Sequence, residues 1–155
     1  MVIQRWQTVL LIISAAVMAC FTFFPIGQVT TPDYTLNLKS LGFFQAGDPT
    51  DGMPPIAIYT WYFFMLSLTT IVLLLLDIFL YSNLRLQMRV CLVSLIFIVA
   101  DACVGGLLGL CRIEGGQIWW NTTILCPFIA IFSTVFAYYR MKADYTLLKS
   151  ADRLR

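Results

Sequence analysis

The sequence predicts an all-α membrane protein: four transmembrane helices in an up-down bundle, both termini cytoplasmic, with a small extracytoplasmic loop between the first two helices. Three observations predict it. Trp6–Phe24, Ile56–Tyr81, Met88–Leu110 and Trp119–Tyr139 are each about 20 or more largely apolar residues, enough to cross a hydrocarbon core about 30 Å thick. Of the 155 residues 60% are hydrophobic and 12% charged, far from the balance of soluble domains. The runs also lack the period of two that a barrel strand needs: "TIVLLLLDIFL" (Thr70–Leu80) does not alternate, so helices must satisfy the backbone. Residues 1–155 thus read as a single four-span membrane domain, with the extracytoplasmic loop at 25–55 and a tail at 140–155.

Orientation follows from the placement of charge. Arg5, Arg85, Arg89, Arg140, Lys142, Lys149, Arg153 and Arg155 fall before span one, between spans two and three, or after span four, which share one side of the membrane. Lys39 and Arg112 fall in the other two connections, among Asp33, Asp48, Asp51 and Glu114. By the positive-inside rule the first side is cytoplasmic. A net charge of +2 held at the membrane edges gives no reason to expect nucleic acid as a partner. The first span is read as a retained helix rather than a lipoprotein signal cut before Cys20. The apolar run continues through "FTFFP", and Met18 is bulky for a site that prefers small residues.

The connections come next. In "YTLNLKSLGFF" (Tyr34–Phe44), Tyr34, Leu36 and Leu38 alternate with Thr35, Asn37 and Lys39, which predicts a short strand or hairpin lying on the bundle. "AGDPTDGMPP" (Ala46–Pro55) is turn chemistry. "YSNLRLQMR" (Tyr81–Arg89) makes a tight cytoplasmic hairpin, with Arg85 and Arg89 on one helical face, able to reach lipid phosphate or the acids of the tail. In "CRIEGGQIWW" (Cys111–Trp120) a glycine turn precedes Trp119 and Trp120, expected in the interfacial aromatic belt. Asn121 opens an N-T-T glycosylation pattern unattractively close to the bilayer.

Residues able to carry chemistry are few. The five cysteines, Cys20, Cys91, Cys103, Cys111 and Cys126, have no C-x-x-C spacing and read chiefly as small apolar residues, although Cys111 could bridge to Cys126 or Cys20. No cofactor or metal site is expected. Asp77 and Asp101 are the ionisable residues inside the spans, functional candidates because a charge in hydrocarbon is costly. Asp77 lies about 6 Å from the cytoplasmic end of its span and is expected to meet Arg85 or water. Asp101 lies near mid-bilayer, expected to be protonated or to bond Ser, Thr or Tyr on a neighbouring helix. Their depths differ by roughly 10 Å, too far for an aspartyl dyad. "ADACVGGLLGL" (Ala100–Leu110) is faintly similar to the glycine-rich stretch of lipoprotein signal peptidases, whose asparagine and aspartate signatures are absent. Gly105 and Gly109 form G-x-x-x-G, a helix-packing pattern first and a subunit contact second.

Three stretches together resemble a known family. "MVIQRWQTVLLIISAAVMACFTFFP" is similar to an M-I-Q-R-x-Q-(S/T)-V-(Y/L)-L start. "FLYSNLRLQMRVC" (Phe79–Cys91) is similar to a K-N-R-x-L-Q-x-R-L-C hairpin, from which Ser82 and Leu84 depart. "LLKSADRLR" (Leu147–Arg155) is similar to a V-(R/K)-S-A-D-R-L-R terminus. They resemble the uncharacterised four-helix inner-membrane proteins, a domain of unknown function, of Bacteroidota. The resemblance implies a bacterial cytoplasmic membrane and no established activity. Its matched positions all fall on the predicted cytoplasmic side, and neither Asp77 nor Asp101 is among them.

The function expected from this is a non-enzymatic inner-membrane subunit or accessory protein whose cytoplasmic rim binds another membrane protein or complex. Gln4, Arg5, Gln7, Asn83, Gln87, Arg89, Ser150, Asp152, Arg153 and Arg155 would form that rim. A small transporter or channel component using Asp101 is the alternative, and an intramembrane enzyme comes third. On a helix the closing stretch sets Leu147, Ala151 and Leu154 opposite Lys142, Lys149 and Arg153, a modest amphipathic pattern that also suits simple anchoring on anionic lipid.

Overall fold

Four helices carry the apolar runs: α1 (Ile3–Phe23), α2 (Trp61–Phe79), α3 (Leu84–Cys111) and α4 (Cys126–Asp152). Each is long and apolar enough to cross a membrane. A computed structural model describes residues 3–31, 34–46, 57–111 and 117–152. Every helix packs on its sequence neighbours, and α1 also packs on α4, which closes a ring.

The seam of the ring follows three-four spacing on all four helices. Gln7, Leu11, Ser14, Met18 and Phe21 are buried on α1, and Phe63, Ser67, Thr70, Leu74 and Asp77 on α2. Gln87, Cys91, Ser94, Ile98, Asp101 and Leu108 follow on α3, then Ala130, Thr134, Ala137 and Met141 on α4. This is the stripe that helices need to interlock side chains in a four-helix bundle. The outward faces carry exposed Ile12, Val72, Ile96 and Phe132, as a lipid solvent requires.

Five short strands form the rest: β1 (Gly27–Thr30), β2 (Thr35–Lys39), β3 (Gly42–Gln45), β4 (Ala57–Tyr59) and β5 (Gln117–Trp120). They make one sheet in the order β4-β3-β2-β1-β5, antiparallel throughout. The alternation in β2 falls as the sequence predicts: Leu36 and Leu38 point into the core, where Val29, Phe43 and Ile26 join them. Tyr34 packs against the same cluster. The β2–β3 turn requires glycine at Gly42, where φ is +149° and a Cβ would come within 2.1 Å of the Ile58 carbonyl oxygen.

The all-α expectation is therefore corrected: a helical bundle carries a five-stranded antiparallel sheet. Two predicted spans absorbed strands. Residues 57–59 were read into span two and Trp119–Trp120 into span four, yet they pair as β4 with β3 and as β5 with β1. Apolarity alone does not separate a strand at the membrane edge from the helix that follows it. Trp119 and Trp120 are thus sheet residues before they are belt residues. The turn-rich 47–56, and Arg112 and Glu114, lie outside the described residues, as does the side chain of Cys111.

Candidate functional site

Three polar systems are buried between the helices, and the third extends to the end of the bundle away from the sheet.

The first surrounds Asp101, which is fully buried. The Ser67 hydroxyl donates to its Oδ1 at 3.0 Å and the Thr70 hydroxyl to its Oδ2 at 2.6 Å. Three-four spacing puts both donors on the inward stripe of α2. Ser40, in the β2–β3 turn, donates to Ser67 Oγ at 3.5 Å, and Thr60 donates to the Ser40 carbonyl at 3.2 Å. The chain of hydroxyls thus runs from the sheet into the bundle. Bonding to Ser and Thr of a neighbouring helix is what the sequence predicts for Asp101. One turn further along α3, the Phe21 and Phe63 rings lie against Gly105, edge to face with centroids 6.0 Å apart. The Trp120 indole lies over Gly109. The G-x-x-x-G pair therefore packs within this chain, while Gly106 faces open space.

Asp77 departs from expectation. It is fully buried rather than reaching Arg85, and neither carboxylate oxygen has a hydrogen-bond partner. The Cys91 thiol on α3 interacts with this carboxyl, and its Sγ lies 3.7 Å from the Thr134 carbonyl oxygen. The Gln87 amide donates to the Asp77 backbone carbonyl at 3.2 Å. Asp101 engages α2 seven and ten residues before Asp77, about 10–15 Å away by helical rise. The two acids therefore occupy separate sites.

The third system joins α1 to α4. The Ser14 and Ser133 hydroxyls share a hydrogen bond, and Thr134 donates to Ser14 Oγ at 3.0 Å. Nearer the start of α1 the Gln7 amide donates to the Asp144 carboxylate. The Arg85 guanidinium lies over the Tyr145 ring, 5.7 Å from its centroid, a cation–π contact.

This sorts the proposed rim residues. Gln7 and Gln87, 2% and 3% exposed, are buried and make hydrogen bonds within the chain. Each continues the buried stripe of its helix by one step. Asn83 and Arg89 are exposed. Gln4 and Arg5 lie in the first turn of α1, and Asp152 is the last described residue of α4. Ser150 is exposed and bonds the Leu147 carbonyl of its own helix at 2.8 Å. Arg153 and Arg155 lie outside the described residues. Sequence reasoning missed Asp144 and Tyr145, although Ala137, Met141 and Asp144 follow the seam spacing that marks an inward position.

Asn121 also acquires a structural task. Its Nδ2, the atom a glycan would take, donates to the Pro25 carbonyl at 3.2 Å, and its backbone N–H bonds the Ile26 carbonyl. Cys20, Cys91, Cys103 and Cys126 are free thiols. Among the described residues no cluster of three or more His, Cys, Asp or Glu could hold a metal.

No curated protein matches the chain. The profile of a domain of unknown function (DUF4293) matches residues 3–154, nearly the whole sequence, and the chain belongs to that family.

Proposed function

We propose that this protein is a non-enzymatic integral membrane subunit or accessory protein, and that the end of the bundle away from the sheet binds a partner complex in the cytoplasm. The observation that carries this reading is the exposed stretch near the end of α4, a helix that, like α3, is longer than one crossing requires. Its 27 residues extend about 40 Å against a hydrocarbon core of about 30 Å. Met141 is the last fully buried side chain, Asp144 and Tyr145 are half-buried, and Thr146–Ser150 are exposed. Leu147 and Leu148 are 61% and 59% exposed on this projecting segment. Anchoring on lipid accounts for Lys142 and Lys149, and the two adjacent uncovered leucines also offer an apolar surface to a partner.

The Gln7–Asp144 and Arg85–Tyr145 contacts hold the residues just before that segment against α1 and α3. The gathering of Arg85, Arg89, Arg140, Lys142 and Lys149 at this end supports its assignment to the cytoplasm, and the resemblance to inner-membrane proteins of Bacteroidota supports a bacterial inner membrane. Deletion of Ser150–Arg155 tests the reading: loss of a co-purifying companion from a still-folded bundle is expected. Unchanged recovery would return this stretch to anchoring.

A second reading, a small transporter or channel component, is favoured by one observation: Asp77 keeps a buried carboxyl without a bonding partner. Fully buried Leu74 and Ile98 stand in the seam between it and Asp101, which favours a sealed interior. Asp77→Asn and Asp101→Asn should leave any associated growth phenotype intact. Loss of the phenotype with folding preserved would promote this reading over the first.

A further inference from the structure

The junction of bundle and sheet holds a cavity of about 330 Å³ that the proposed function does not use. Thr22, Phe23, Lys39, Leu41, Phe44 and Phe64 line it. Phe23 is the last residue of α1 and Phe64 lies in the first turn of α2, so the cavity sits where these helices leave the hydrocarbon, at headgroup depth on the sheet side. Lys39 on β2 and Thr22 are its polar lining residues; the other four are apolar. The Thr22 proton is committed to the Met18 carbonyl at 2.9 Å, so that oxygen can only accept. Among the described residues no carboxylate pairs with Lys39. Phe23, 64% exposed, continues the wall onto the outer surface of the bundle.

The geometry points to a site for one anionic phospholipid of the sheet-side leaflet, with its phosphate on Lys39 and an acyl chain along Phe23 and Phe64. Charge and position select the occupant. A cation at headgroup depth above an apolar wall complements a phosphate joined to a hydrocarbon chain, and the bilayer presents such molecules at high local concentration. The volume lies within the range of small-molecule sites and accommodates a headgroup with the start of one chain. Thr22 Oγ1 would accept a hydroxyl from a glycerol headgroup.

Native mass spectrometry of the full chain, released from vesicles of equimolar phosphatidylglycerol and phosphatidylcholine, tests this. Wild type should retain one phosphatidylglycerol in preference to phosphatidylcholine. Lys39→Gln should lower that preference about fivefold, the factor equivalent to roughly 1 kcal/mol for one lysine at a lipid surface. Lys39→Arg should keep it, and Phe64→Ala should lower retention of both lipids. Lys142→Gln, at the other end of α4, should change nothing. Equal retention of the two lipids by wild type, or an undiminished preference in a folded Lys39→Gln, would overturn the site. Complete displacement by millimolar inorganic phosphate would show a phosphate site rather than a lipid site, and would overturn it equally.

Discussion

At the scale of single residues, Asp101 and three glycines separate packing from chemistry. Ser67 and Thr70 both spend hydroxyl protons on Asp101, and side-chain hydrogen bonds between membrane helices contribute about 0.6 kcal/mol each on average. Asp101→Asn keeps an acceptor and is expected to cost about 1 kcal/mol or less. Asp101→Leu removes both acceptors and should cost about 1–3 kcal/mol in detergent unfolding. Equal stability of the two variants would mean that the hydroxyls do not support the α2–α3 contact. The glycines should rank by what a methyl group would meet. Gly42→Ala adds strain at φ +149° to a backbone clash and should cost more than about 2 kcal/mol. Gly109→Ala must push the Trp120 indole aside, while Gly106→Ala enters open space and should be neutral or stabilising by up to about 1 kcal/mol. Thermal unfolding of the three variants gives the order directly.

At the scale of elements, the bundle depends on how α1 meets α4. Gln7 with Asp144 and Ser14 with Ser133 set those two helices in opposite directions. Replacing Ser14 and Ser133 together by cysteine should allow a disulfide under mild oxidation, because the two hydroxyl oxygens already touch. A pair that stays reduced would contradict the register. The helices were legible in the sequence because an apolar run of about 20 residues has one common structural solution in lipid. β2 was legible too, since Leu36 and Leu38 alternate with polar neighbours. β4 and β5 were not: "AIY" and "QIWW" adjoin the spans in apolar runs, and their pairing partners lie far away in sequence. The same distance hid the burial of Gln7 and Gln87. A glutamine near a helix end reads as surface until its neighbour across the bundle is known, and Asp144 stands 137 residues from Gln7.

At the scale of the whole molecule, the two ends of the bundle differ in kind. At one end five strands cap the helices and the hydroxyl chain runs inward to Asp101. At the other, basic residues gather around the base of α4, and the side chains of its residues 146–150 are exposed. The candidate site was legible from sequence as a place, through clustered charge, and not as a set of residues. Two proposed members, Gln7 and Gln87, are buried within the chain, while Leu147 and Leu148 are exposed at that end. The central claim, that this projection binds a partner, is tested most directly by Leu147→Glu/Leu148→Glu compared with wild type in co-purification from native membranes in mild detergent, with thermal unfolding of both proteins as the control. Wild type should bring down a companion in fixed proportion. The double variant should lose it by at least tenfold, equivalent to about 1.4 kcal/mol, with its unfolding temperature unchanged. Wild type recovered alone, or a double variant that keeps its companion, would contradict the account.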